Sequence, residues 1–168
     1  MQTGIEKFKN VIDPETCDSI IKNIESNIDK SQDFVYGPQS NVICKQLNVV
    51  SADLDDLIRK PLQKISLKYS EKYTYFSAYS DTGFQLRKIS GATRKHVDTV
   101  RGADTRNVSI IVGLNSDYEK GEFHFPYQDF VTTVKRGEAI IFPVWYMYPH
   151  YVDAPIGYRY TINTWLKY

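Results

Sequence analysis

Residues 157–166 read GYRYTINTWL. Aromatic and β-branched side chains dominate the run, which therefore reads as a strand. Successive side chains of a strand point to opposite faces, so Arg159, Thr161 and Asn163 share one face and Tyr160, Ile162 and Thr164 the other. The second face is largely apolar and suits a core. The first brings a cation and a hydroxyl to one place.

Working outward, the same character extends back to residue 73 in short runs: YTYFSAY (73–79), FQLRKIS (84–90), NVSIIVGLN (107–115), EFHFPY (122–127), FVTTVK (130–135) and EAIIFPV (138–144). Breaks such as SDTG, SGA, NSDYEKG, KRG and DAPIG separate them. Regularly spaced short strands with turn signals between them indicate a sandwich or a barrel. Towards the N-terminus the pattern becomes helical. Asp13 followed by Pro14 is an N-cap with proline in the first turn, and Cys17, Ile20, Ile21, Ile24 and Ile28 recur at helical spacing, predicting a helix from about residue 14 to 29. Ser51 caps a second, in which Leu54, Leu57, Ile58, Leu62 and Ile65 form an apolar stripe and Pro61 marks a kink. The reading is a mainly β chain with N-terminal α-helices packed on one sheet. Residues 1–168 are expected to form a single domain, its helical part about 1–72 and its β core about 73–168. The stretch from Asp33 to Asn48, with VYGPQSN, has the turn residues of a loop that covers a site.

With 168 residues, 42% hydrophobic and 24% charged, the chain is long enough to bury a real core. A net charge of +1 leaves no broad basic footprint for duplex binding, so no nucleic-acid partner is expected. The opening MQTGIEKFKNVIDPETC has no apolar signal region, and no window offers the roughly 20 apolar residues that span a bilayer. A cytoplasmic protein with no membrane contact is the expectation. Cys17 and Cys44 are too few for a disulfide framework and read as buried or incidental thiols.

The histidines number three, at 96, 124 and 150. His96 stands two positions before Asp98 in RKHVDTVR (94–101), so both converge on one point if the stretch is extended. His150 follows FPVWYMYP, and Arg159 comes nine residues later. Two histidines and a carboxylate are the ligand set that holds non-haem Fe(II) on one side and leaves the remaining positions open. An arginine beside a threonine hydroxyl suits a distal carboxylate, because guanidinium binds carboxylate in a bidentate, charge-assisted way. A metal triad with a carboxylate anchor suggests a keto-acid cosubstrate.

The order HVD, RNVSIIVGLN, KGEFHF, KRGEAIIFP and PHYVDAPIGYRYTINTWL resembles the Fe(II)/2-oxoglutarate-dependent dioxygenases, in particular their prolyl 4-hydroxylase-like branch, over roughly residues 84 to 168. The resemblance implies a double-stranded β-helix, or jelly roll, with the site at its mouth. It implies His96, Asp98 and His150 as catalytic iron ligands, Arg159 as partner of the 2-oxoglutarate C5 carboxylate, and Thr161 as a second contact. Fe(II), 2-oxoglutarate and O2 are the implied cofactors, with ascorbate a candidate stimulant. The implied reaction hydroxylates a C–H bond of a prolyl or other amino-acid side chain, free or in a peptide, and releases succinate and CO2. The chain departs from the pattern at Ile89, where many relatives place a tyrosine that contacts the cosubstrate, and at Lys120-Gly121, where a glycine pair is usual. An AlkB-like nucleic-acid demethylase and a non-catalytic, cupin-like metal-binding module are the alternatives; the neutral charge balance opposes the first and the Arg159–Thr161 pair the second.

Other residues read less sharply. His124 shares a face with Glu122 and Pro126 and is expected to be a satisfied structural histidine. Arg94 falls on the side of His96 and Asp98 and reads equally as a contact to the site or as a surface ion pair. Trp145, Tyr146 and Tyr148 line a pocket or pack in the core.

Overall fold

A computed structural model describes residues 3–35, 41–99 and 105–168. Two helices form near the N-terminus. The first, α1 (Pro14–Ser26), starts where Asp13 accepts a hydrogen bond from the Thr16 backbone N–H at 2.9 Å. Ile20, Ile24 and Cys17 make its buried side. It ends a turn earlier than the apolar spacing predicts, because residues Ile28–Lys30 tighten into a 3-10 turn. The second, α2 (Ala52–Lys72), follows Ser51, whose side chain makes no capping bond, and runs through Pro61. It buries Ile58, Leu62, Ile65 and Tyr69.

The strands run in chain order as β1 (Glu6–Phe8), β2 (Gln32–Phe34), β3 (Cys44–Asn48), β4 (Ser80–Asp81), β5 (Gln85–Ile89), β6 (Arg106–Gly113) and β7 (Glu119–Lys120), then β8 (Phe123–Phe125), β9 (Phe130–Thr132), β10 (Ala139–Pro143), β11 (Tyr151–Val152), β12 (Pro155–Ile156) and β13 (Arg159–Lys167). A major antiparallel sheet has the order β1-β10-β6-β13-β5-β3-β2, with β4 added on β13. A smaller sheet, β11-β8-β9, and the pair β12-β7 complete the jelly roll. The core has two parts. Residues of α1 and α2 share one cluster with Leu86, Val108, Ile110, Val112, Ile141 and Ile162 of the major sheet. Phe123, Phe125, Val134, Ile140 and Phe142 fill the second. Alternation along β13 assigns its two faces: Ile162 joins the first cluster, while Arg159, Thr161 and Asn163 face a cavity.

Three readings of the sequence are corrected. YTYFSAY, read as a strand, is turn and irregular chain, and pairing begins only at Ser80. Its aromatics alternate in sequence but have no partner face, since Tyr75 and Tyr79 are exposed while Phe76 packs against the helix-side cluster. The N-terminal third, read as helical, also contributes β1, β2 and β3 to the major sheet. The Asp33–Asn48 stretch is accordingly strand at both ends; residues 36–40, which hold most of its turn signal, lie outside the described residues.

Candidate active site

His96, Asp98 and His150 come together although no regular strand carries the first two. His96 and His150 form an isolated antiparallel bridge, each backbone N–H donating to the other's carbonyl at 2.9 and 2.8 Å. That bridge places the rings 4.4 Å apart, centroid to centroid. The donor atoms of the three side chains all lie within 4.8 Å of one another, a spacing that one metal ion spans.

Each ligand is oriented by its surroundings. His96 Nδ1 donates to the Arg94 carbonyl at 2.7 Å and His150 Nδ1 to the Tyr148 carbonyl at 3.2 Å, because a carbonyl only accepts. Nε2 of both rings is thereby left for the metal side. Asp98 divides its two oxygens: Oδ1 faces His96 Nε2 at 3.2 Å and His150 Nε2 at 3.7 Å. Oδ2 accepts from Ser109 Oγ and from Trp165 Nε1, the latter at 3.0 Å. Nothing in the order of residues pointed to Ser109 or Trp165; only their place on adjacent strands, paired Trp165 to Ser109, reveals them. His150 is wedged against Phe125 and Phe142, with ring centroids 5.4 and 4.8 Å away.

The electrostatics follow. Burial alone pushes the Asp98 carboxyl upward, yet hydrogen bonds from His96 and Ser109 and the charge of His150 hold it well below the usual carboxylate range. His96 is likewise disfavoured as a cation by burial, and Asp98 outweighs that and raises its pKa. His150 is lowered, because burial prevails there. Asp98 is thus a carboxylate at neutral pH, as a metal ligand must be.

Arg159 enters the same cavity from the start of β13. It is 3% exposed, stacks over Phe123 at 4.9 Å and donates through Nη1 to the Gly121 carbonyl at 3.2 Å. Among the described residues its Nε has no partner and no carboxylate pairs with it. Burial lowers its pKa to about 10, which leaves it charged at neutral pH. A buried cation with an orphaned N–H is strongly unfavourable unless an anion completes it. Thr161, fully buried two residues on, lines the same cavity; its hydroxyl donates to Asn163 Oδ1 at 2.7 Å and can donate to a bound carboxylate instead by rotating about its C–O bond. Ile89 pairs directly with Arg159 across the strands and offers only apolar contact where a tyrosine hydroxyl is usual.

The remaining residues sort themselves. His124 binds Asp153 at 2.7 Å and stacks on Tyr151, as expected of a structural histidine. Arg94 is exposed, and its backbone carbonyl accepts from His96 Nδ1. Trp145 and Tyr146 are largely solvent-facing, whereas Tyr148 packs on the second core cluster. Cys17 and Cys44 are buried free thiols. A groove of ≈ 590 Å³ lies elsewhere, beside α2, and its carboxylate, Asp81, is already bound to Arg59. Among the described residues no helix is long and apolar enough to cross a membrane.

Comparisons with known proteins agree with this site. Residues 84–167 match the family model of the 2OG-Fe(II) oxygenase superfamily. The chain belongs to that superfamily and is a 2-oxoglutarate-dependent Fe(II) dioxygenase. Among solved structures it resembles the viral collagen prolyl hydroxylase of Paramecium Bursaria Chlorella virus-1 in its 2OG complex, at TM-score 0.76 and 16% identity over 98% of this chain and 96% of that one. A Pseudomonas putida prolyl-4-hydroxylase superposes at 0.78 with 12% identity over 98% and 92%. A Trichoplax adhaerens prolyl hydroxylase bound to a hypoxia inducible factor peptide fragment gives 0.76 and 14% over 99% and 84%. At such identities the likeness concerns the fold. No curated protein matches the sequence.

Proposed function

We propose that residues 1–168 act as one oxygenase domain that hydroxylates an unactivated C–H bond of a prolyl or other amino-acid side chain, free or in a peptide. In this reading His96, Asp98 and His150 hold Fe(II), and Arg159 with Thr161 binds the distal carboxylate of 2-oxoglutarate. Fe(II) held there would chelate the keto acid and activate O2, which is the oxidant: one oxygen atom would go to the substrate as hydroxyl and the other to succinate as 2-oxoglutarate loses CO2. The protein's own work is positional. Nδ1–H bonds to Arg94 and Tyr148 carbonyls fix both imidazoles, and Ser109 and Trp165 turn Asp98 so that one oxygen stays available. Phe123 beneath Arg159 and Phe125 and Phe142 behind His150 keep water from the buried polar groups.

The observation that carries the reading is the buried, acid-free guanidinium of Arg159 in one cavity with the triad. A structural metal site has no use for it. The prolyl preference is supported by the prolyl hydroxylases among the structural relatives. The test is a titration of 2-oxoglutarate into Fe(II)-loaded protein without oxygen, following the visible charge-transfer band of a chelated keto acid. Saturable growth of the band, abolished in Asp98→Ala and weakened at least about tenfold in Arg159→Ala as expected for a lost charge-assisted contact, supports the assignment. A folded, iron-loaded protein that shows no band refutes it.

A further inference from the structure

Arg87 stands in the middle of β5, paired with Thr161 of β13 on one side and Gln46 of β3 on the other. Its side chain lines the cavity that holds His96, Asp98, Arg159 and Thr161. The guanidinium is fixed from several directions. Nε donates to Gln46 Oε1 at 3.1 Å and Nη2 to Gln85 Oε1 at 2.7 Å. Its carbon lies 5.5 Å from the centre of the Phe34 ring and 5.8 Å from that of Trp165. Both acceptors are neutral amide oxygens, and among the described residues no carboxylate pairs with this cation. Asp98, the acid that shares the cavity, has one oxygen committed to Ser109 and Trp165 and the other to the two imidazoles.

Arg87 is also close enough to act on Arg159, whose charged form it opposes across the cavity that both line. In the protein alone, two guanidinium groups therefore oppose each other inside one partly dry cavity. A dicarboxylic cosubstrate relieves one of them, because its distal carboxylate goes to Arg159 and its other end to the metal. The second cation is left over. Held rigidly by two glutamines and two rings, it has lost its side-chain entropy in advance and presents its remaining N–H groups in a fixed fork.

We infer that Arg87 receives a carboxylate of the substrate, so that the C–H donor is a small carboxylate-bearing molecule, such as an amino acid with a free α-carboxylate, rather than an internal residue of a neutral peptide segment. The inference rests on the oxygenase reading above. It chooses between the free and peptide-bound substrates which that reading leaves open, and makes Arg87 a specificity-determining residue.

The test uses the full chain loaded with Fe(II) and 2-oxoglutarate without oxygen, with Nα-acetyl amino acids, N-acetylproline among them, and their matching amides as probes. Binding is read from tryptophan fluorescence and from displacement of the visible band; succinate release on admitting O2 is a separate readout. In the wild type the acids bind about ten- to a hundredfold more tightly than the amides, Arg87→Gln removes that difference with 2-oxoglutarate affinity held within about twofold, and Arg87→Lys restores part of it. Equal binding of acids and amides by the wild type, or binding of neither, overturns the inference. So does a marked loss of 2-oxoglutarate affinity in Arg87→Gln, which makes Arg87 part of the cosubstrate clamp. Failure of the wild type to bind 2-oxoglutarate is seen before any probe is added and removes the underlying reading instead.

Discussion

Asp98 shows how much of the site is decided by single atoms. One of its oxygens faces the two imidazoles, and the other is occupied by Ser109 and Trp165, so the carboxylate cannot rotate freely. Ser109→Ala and Trp165→Phe each delete one donor to Asp98 and leave His96, Asp98 and His150 themselves in place. Each is expected to weaken divalent metal binding by about 10- to 100-fold, as is usual for groups that orient metal ligands, with an unchanged far-UV spectrum. Calorimetric titration of Mn(II) into the metal-free variants measures this; wild-type affinity in both removes the positioning role. The pair was not legible in the sequence. Ser109 sits in the strand NVSIIVGLN and Trp165 in TINTWL, where both look like ordinary strand residues, and only cross-strand pairing brings them to Asp98.

At the scale of elements, α2 binds to the sheet through a narrow apolar stripe. Leu62 is 4% exposed within that stripe, while Leu67 on the opposite side is 66% exposed. Leu62→Ala is expected to cost about 2–5 kcal/mol and Leu67→Ala under about 0.5, read as a difference in urea midpoints. Comparable losses at both positions mean that the helix does not pack as described. A second element-level device ties β1 to the turn before β10. Glu138 accepts from the Lys135 backbone N–H at 2.9 Å and pairs with Lys7 Nζ at 2.7 Å. Burial pushes its carboxyl upward, but the bonds from Lys7 and Lys135 prevail and lower it below its ordinary 4.5. A carboxyl lowered on folding stabilises the protein above its unfolded pKa, and that stability is lost as pH falls through the folded value. Unfolding midpoints measured between about pH 6 and pH 3 should therefore fall less steeply in Glu138→Gln than in the wild type; parallel curves count against the linkage.

The whole molecule depends on a few points where its layers touch backbone to backbone. Gly113 ends β6 where the chain after β9 crosses it, with its N–H on the Glu138 carbonyl at 3.0 Å. A Cβ there would lie 2.4 and 2.5 Å from the carbonyl oxygens of Val134 and Lys135. Gly113→Ala is expected to destabilise by about 1–3 kcal/mol or more through forced separation of those backbones, seen as a lower melting temperature. An unchanged melting temperature means that the close approach is absent. The same assembly turns β13 into a two-sided element, with Ile162 in the helix-side core and Arg159 in the cavity.

The sequence by itself determined much of this, because some signals are local. Alternation in RYTINTWL, the N-cap at Asp13 and the apolar stripes of both helices need only the geometry of one element. The ordered motifs, through the resemblance they carry, likewise singled out His96, Asp98, His150, Arg159 and Thr161 as candidates, and these five line one cavity. Only the tertiary structure decided the rest. The His96–His150 backbone bridge, rather than a regular strand, brings HVD to His150, and long-range pairing draws the N-terminal strands into the major sheet. Ser109 and Trp165 gain their role from Asp98, which is 11 and 67 positions away from them in the chain. Arg87 becomes a cavity cation only because β3 and β13 flank it with glutamine and threonine. The physical reason is common to all of these: they are contacts between elements, and the free energy that selects them comes from burial and cross-strand pairing, which no single segment can make alone.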